Sequence, residues 1–322
     1  MTTRAGCTIA VFIAAVLSGP AHASEPDIPA AVTELIAGAR ADAAAGNALW
    51  PGYAEAPFGF LYVDPRGEVL LCDDREPAGF KFAPRNERLD CPVAVGPSSW
   101  RKPSLLAAMP VFGPPSVVVM GPPEASGRSA ELWRLTVLHE HFHQWQSALP
   151  RYYERVAELD LANGDETGMW MLNYPFPYDS PGTGAVFKHA ARLLKDAVEA
   201  DEANLVSAVR AYLDARKVLE NSVADADWRY YEFQLWQEGV ARWSEIAIGE
   251  MSIDPATALE ARMRRQQTLN ALEDIDLATG RRETAYAFGA AEAMLLERID
   301  PDWRGCYRVS MSIGQCWEGL VP

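Results

Sequence analysis

A chain of 322 residues with a net charge of −15, a 49% hydrophobic content and ten tryptophans has material for a substantial core and is not a disordered polymer. Its acidic balance argues against nucleic acid or an anionic membrane surface as partner. Beyond the leader, no stretch approaches the roughly 20 apolar residues of a transmembrane helix, and the length suits one large domain or two packed lobes.

Residues 1–23 read as a secretory signal peptide, with Arg4 as the positive n-region, Thr8 to Leu17 as the apolar h-region and Ala21-His22-Ala23 as the A-x-A site before Ser24. Cys7 precedes the apolar run, which does not suit a lipoprotein anchor. The mature protein is therefore expected to be exported, periplasmic or secreted, and soluble. Cys72, Cys91, Cys306 and Cys316 remain, an even set that reads as disulfides in an oxidising compartment. Three pairings are open; Cys72–Cys91 with Cys306–Cys316 is favoured because each would staple a local, loop-rich segment. Metal binding by these cysteines is disfavoured, since no C-x-x-C spacing occurs.

In chain order, the alanine-rich stretch from Ile28 to about Leu49 predicts a helix. Phe58–Val63 and Glu68–Cys72 flank Asp64-Pro-Arg-Gly67 and predict a hairpin. Residues 73–103, rich in Pro, Arg and Asp, read as irregular. Ser116–Met120 is a short β-branched run between two Pro-Pro pairs, either a core strand or an edge offered to an extended peptide. Residues 160–182 read as a loop whose Trp170, Tyr174, Phe176 and Tyr178 either wall a cleft or pack the loop down. Helices are expected over about 184–222, 227–250, 254–275 and 283–299, with Pro255 opening one after Asp254 and Gly280 marking a break. His189 stands alone on its helix and reads as structural or solvated.

The chemistry concentrates in Leu135-Thr-Val-Leu-His139-Glu140-His141-Phe-His143-Gln-Trp145. Leu132, Leu135, Leu138, Phe142 and Trp145 recur at helical spacing, so His139 and His143 fall one turn apart on one face, where two imidazoles can share a Zn²⁺. Glu140 lies beside them as the base that takes a proton from water and hands it to the leaving amine. His141 projects about 200° from His139 and is not expected to be a ligand. On a strand, His139, His141 and His143 would instead share one face, as in H-x-H metal hydrolases, but the helical period continues on both sides. A third ligand is needed, and Glu238 is the candidate: it sits mid-helix among Leu235, Trp236, Val240 and Trp243, where an unpaired carboxylate is costly. Gly239 follows it, a residue tolerated inside a helix where another element approaches closely.

His139-Glu-His-Phe-His143 with Glu238-Gly-Val-Ala241 resembles the gluzincin metallopeptidases, in which a Glu from an E-G-x-A-like helix completes the H-E-x-x-H site. Tyr286-Ala-Phe-Gly289-Ala290 is similar to the Y-x-x-G-A segment of aminopeptidase N-like and glycyl-aminopeptidase-like gluzincins, where the tyrosine hydroxyl stabilises the oxyanion. The resemblance covers three short motifs within residues 135–299 and implies an α+β, mainly α, zincin-like metallopeptidase domain with a small N-terminal β-containing part. It implies Zn²⁺ on His139, His143 and Glu238, with Glu140 and Tyr286 as catalytic residues and a peptide or protein as substrate. The chain departs from the pattern in three ways. The stretch between His143 and Glu238 is longer than in aminopeptidase N-like enzymes. The G-x-M-E-N segment that holds a free amino terminus is missing. Arg242 stands where thermolysin-like enzymes place an Asp that orients a histidine, a task that Glu245 could take over. The expected organisation is residues 24–125 with the small sheet and 126–322 as the helical catalytic region, packed as one unit. The competing readings are a non-catalytic zinc-binding protein of the same fold and a small-molecule metal hydrolase. Oligomeric state is left open.

Overall fold

The computed structural model describes residues 27–320, so the leader expected over 1–23 lies outside the described residues. Helix α1 (Ala30–Gly46) buries Val32, Ile36, Ala39 and Ala43 along one stripe, and ends where Asn47 turns back to accept a hydrogen bond from Ala54 N at 2.8 Å. Strands β1 (Phe60–Asp64) and β2 (Gly67–Leu71) form the expected antiparallel hairpin, with Asp64 Oδ1 accepting from Arg66 N across the turn. Residues 73–103 are not irregular as their composition suggests. They contain strands β3 (Lys81–Asn86) and β4 (Cys91–Pro97), paired antiparallel. The reason is position: β3 is an exposed sheet edge, and Pro84 falls where its register shifts, one of the few places a strand tolerates proline. An exposed edge strand can carry the composition of a loop.

Strands β5 (Leu106–Met109) and β6 (Val117–Met120) complete a six-stranded sheet in the order β3-β4-β2-β1-β6-β5, with β1–β6 the parallel pair. Both edges of β6 are therefore occupied, so the run at 116–120 is a core strand and the edge belongs to β5. Phe60, Tyr62, Val118 and Met120 face the helices, while Leu61, Val63, Val117 and Val119 face a second cluster backed by Leu105, Met109, Val111 and Phe112. Burial on both faces is why β1 and β6 read as unbroken apolar runs.

The helical part comprises α2 (Pro123–Ser126), α3 (Ala130–Ser147), α4 (Tyr152–Glu158), α5 (Trp170–Asn173), α6 (Pro181–Glu199), α7 (Leu205–Glu220), α8 (Asp225–Gln234), α9 (Val240–Glu250), α10 (Pro255–Ala271), α11 (Leu277–Gly280), α12 (Thr284–Ile299) and α13 (Trp303–Tyr307). The helix expected over 184–222 is a hairpin of two, broken where Asp201 accepts the Asn204 backbone N–H through both its carbonyl and its side chain. Asp254 caps α10 ahead of Pro255, and Gly280 ends α11, as expected. The 160–182 aromatics pack down, with Trp170 stacked on Phe233 at 5.6 Å, Tyr174 on Tyr230 at 4.3 Å, and Trp170, Phe176 and Tyr178 buried, while Tyr174 and Tyr178 also wall a cavity. Cys72–Cys91 and Cys306–Cys316 are both disulfide-bonded, the local pairing favoured on spacing.

The result is an α+β fold, mainly helical, with a small N-terminal sheet. One hydrophobic core runs from Val32 to Trp317, shared by sheet and helices. No helix among the described residues is long and apolar enough to cross a membrane.

Candidate metal centre

Helix α3 carries the histidines and is held on three sides. Ser129 caps its start, accepting from Leu132 N at 3.1 Å. Behind it, Trp50 lies fully buried with ring centroids 5.2 Å from Phe142 and 5.0 Å from Trp145, and its indole N–H donates to Ser244 on α9 at 2.9 Å. Towards the sheet, the Gln144 amide donates to Gly59 O and Ser116 O, and the Tyr53 hydroxyl donates to Leu138 O. His141 is buried on this inner side, with Nδ1 2.8 Å from Gln144 Oε1 and Nε2 3.0 Å from Tyr53 O. The segment is thus helical throughout, and His141 points away from the other two histidines.

His139 and His143 present their Nε2 atoms to each other at 3.2 Å, and Glu238 Oε2 lies 3.5 Å and 3.4 Å from them. All three potential ligand atoms fall within 4.8 Å of one another. The outer nitrogens decide what the inner ones can do. His139 Nδ1 lies 2.8 Å from Glu245 Oε2, a contact angled off the ideal hydrogen-bond direction, and a carboxylate can only accept. His143 Nδ1 faces Gln146 Oε1 at 2.7 Å, an orientation set because the Gln146 amide nitrogen donates to Trp236 O, Gln237 O and Tyr307 Oη. With hydrogens on both Nδ1 atoms, both Nε2 atoms offer lone pairs to the same point. Glu238 Oε2 is buried there with no hydrogen-bond donor.

The charges show what a cation would replace, which is the protons that the imidazoles otherwise hold against the surrounding carboxylates. Burial alone would push the His139 pKa down, but Glu238, Glu245 and Glu140 outweigh it and raise it to about 9. Burial would push Glu238 up, yet the two histidines hold it well below the ordinary carboxylate range. Three buried carboxylates around two imidazoles require positive charge among them. Converging lone pairs, an undonated carboxylate oxygen and a His₂Glu donor set fit a divalent cation.

Glu238 reaches this point through a local irregularity. Leu235–Gly239, between α8 and α9, is a π-helical turn, a feature frequent at functional sites. Gly239 is needed there because a Cβ would lie 2.4 Å from Gly289 Cα of α12. The close approach that its sequence position suggests is therefore real, but the approaching element is α12 and not α3.

Glu140 is buried, and burial raises its pKa against the pull of His139 and His143 and, more weakly, of the nearby Ala108 backbone on β5. The Tyr286 ring stacks on His139 at 5.7 Å with planes 15° apart. Burial and the neighbouring Glu238 carboxylate push its pKa well above the usual value, so it stays a neutral donor. The guanidinium groups of Arg242 and Arg282 lie 5.3 Å and 5.5 Å from the Tyr286 ring centre. Arg242 also lies 3.3 Å from Glu245 Oε1, so it braces the carboxylate that braces His139. Arg282 places Nη1 3.2 Å from Glu238 Oε1. His189 lines a groove between α6 and α7 with Val186 and Leu193, outside this cluster.

Gln146, Ala108 and Arg282 are absent from the sequence reading. Gln146 sits three residues after His143, the i,i+3 reach of a helix, so its spacing was a usable signal; the other two come from distant segments and carried none. Compared with protein-family models, curated proteins and solved structures, the chain matches none.

Proposed function

We propose that the chain is an exported zinc metallopeptidase of gluzincin type with a zincin-like fold. The observation that carries this reading is the convergence of His139 Nε2, His143 Nε2 and Glu238 Oε2 on one buried point with Glu140 alongside. A His₂Glu set suits zinc, which would supply Lewis acidity, polarising a carbonyl and acidifying water.

The chain's own residues account for the rest. Glu140, whose pKa is raised by burial, takes a proton from water and returns it to the departing amine. Tyr286, held as a neutral phenol against His139, donates to the oxygen on which negative charge develops. Strand β5 is the free edge of the sheet and packs beside α3, with the Ala108 backbone near Glu140, so an extended peptide paired along β5 would pass close to that carboxylate. Glu245 and Gln146 hold the imidazoles in the tautomer that leaves Nε2 free. Two disulfides point to an oxidising compartment and support export, together with the leader read in residues 1–23.

The test is metal content beside hydrolysis of a peptide library. One metal ion per chain is expected, lost in His143→Ala and Glu238→Ala. Glu140→Gln should keep the metal and lose hydrolysis by roughly 100-fold or more. A chain that takes up no metal after zinc reconstitution, or a fully active Glu140→Gln, would overturn the reading.

A further inference from the structure

Beside the metal centre lies a cavity of about 470 Å³ lined by Tyr174, Tyr178, Arg281 and Arg282 among others. Arg282 belongs to both places, since its Nη1 also touches Glu238 Oε1 at 3.2 Å. In a chain with a net charge of −15, two successive arginines lining one cavity, of which Arg282 reaches the centre and Arg281 is half-exposed, run against the overall balance.

Neither group is saturated by what surrounds it. Arg281 stacks on the Tyr178 ring at 4.9 Å, and its acidic neighbour is Asp179 at 3.4 Å, on a side chain 80% exposed. Arg282 Nη2 has Glu283 at 3.5 Å, also largely exposed, and Nη1 has only 3.5 Å approaches to Gln234 Oε1 and Tyr286 Oη besides Glu238. Charge-assisted hydrogen bonds to a carboxylate close to about 2.7–2.9 Å, so these arginines retain unfilled, directed donors that an incoming carboxylate can take from two solvated acids. The backbone is also biased towards this arrangement. Arg281 holds φ +46° and ψ −131°, a region that favours glycine, although Gly280 is its immediate neighbour. Residues kept in such conformations cluster at ligand-binding positions, and here the turn delivers two successive arginines to one cavity.

We propose that this cavity is a carboxylate-binding subsite, so that the centre acts on peptides carrying a carboxylate near the scissile bond. The proposal rests on the peptidase reading for its substrate class, while the subsite itself rests on Arg281 and Arg282. The carboxylate belongs either to an Asp or Glu side chain or to a free C-terminus; the chemistry at the guanidinium groups is the same.

The experiment uses the full metal-loaded chain with Glu140→Gln, and reads binding by fluorescence anisotropy against three labelled peptides of one sequence. One carries a central Glu with an amidated C-terminus, one a central Gln with a free C-terminus, and one a central Gln with an amidated C-terminus. At least one carboxylate peptide should bind roughly tenfold or more tightly than the neutral one, with the gap narrowing in salt, and which of them does so identifies the source. Adding Arg281→Gln should cut that preference several-fold and Arg281→Lys should keep part of it. Arg281→Gly should raise the Tm by a few degrees, by relieving the backbone, while losing the preference. Equal binding of all three peptides, no binding of any, or a preference untouched by Arg281→Gln overturns the subsite. Wild-type hydrolysis of the same peptides separates the two readings. Discrimination without hydrolysis leaves the subsite and removes the peptidase. Hydrolysis of all three with equal binding does the reverse.

Discussion

At His139 and His143, the nitrogen that faces away from the centre sets the behaviour of the one that faces it. Glu245 and Gln146 hold these outer nitrogens, one from α9 and one from the next turn of α3. Substituting Glu245→Gln or Gln146→Ala should weaken metal binding by roughly 10–100-fold without changing the helical content; competition with a chelator and circular dichroism measure the two, and undiminished affinity would remove these residues from the orienting role. Tyr286→Phe should lower kcat by roughly 100-fold or more and leave KM nearly unchanged, because the hydroxyl is asked to act only on developing charge; equal losses in binding would mark it as a packing residue. At this scale the sequence was most informative. His139, Glu140 and His143 are legible because helical spacing alone puts two of them on one face beside the third. Glu238 was legible as a carboxylate in the wrong company. Arg282 was not, because nothing local distinguishes an arginine that turns inward to a carboxylate far away in the chain.

Between elements, the centre depends on how α12 crosses the π turn at Leu235–Gly239. Gly239 and Gly289 meet backbone to backbone, and a Cβ on Gly289 would lie 2.7 Å from Leu235 O and 2.9 Å from Gly239 Cα. Those are main-chain atoms and cannot rotate aside. Gly289→Ala should therefore cost about 3 kcal/mol, at the upper end of overpacking penalties. It should also weaken metal binding, since any retreat of the π turn withdraws Glu238. Denaturant titration and metal content read the two effects, and a fully stable, metal-replete variant would show that the crossing has slack. The resemblance assigns Tyr286-Ala-Phe-Gly289-Ala290 to oxyanion chemistry; the structure gives its glycine a packing reason as well. A π turn leaves no mark in hydrophobic periodicity, which is why its place between α8 and α9 was invisible in a pattern that reads as one helix. Likewise β3 disguises itself as loop because an exposed edge strand needs no apolar alternation, and the α6–α7 break is legible only through the short-range chemistry of Asp201 and Asn204.

Across the whole molecule, long-range burial ties the two halves and the C-terminal segment to the centre. Trp50 comes from the stretch between α1 and β1, yet it lies 5.8 Å from Trp243 and 5.7 Å from Trp303 as well as against α3. No local pattern could have placed it there. A second tie is electrostatic. Arg216 on α7 pairs with Glu232 on α8 and, through Nε at 2.7 Å, with Glu292 on α12, while Glu232 accepts from Ser312 Oγ and Gly314 N in the C-terminal segment. All three side chains are at least nine-tenths buried. Removing the cation strands two buried carboxylates, so Arg216→Met should cost about 3–5 kcal/mol. The pH dependence follows from the same geometry. Burial already raises the Glu292 pKa, against the pull of Arg216 and with the help of Glu232. Without Arg216 it rises further. A carboxyl whose folded pKa lies above its unfolded value binds more protons folded than unfolded between the two, so stability falls as pH rises through that window. Denaturant unfolding at pH 5 and pH 8 should therefore show Arg216→Met losing more stability relative to the wild type at pH 8. A penalty that is the same at both pH values would mean that Glu232 and Glu292 find other partners, and that the C-terminal segment is held by packing and the Cys306–Cys316 bridge instead of by charge.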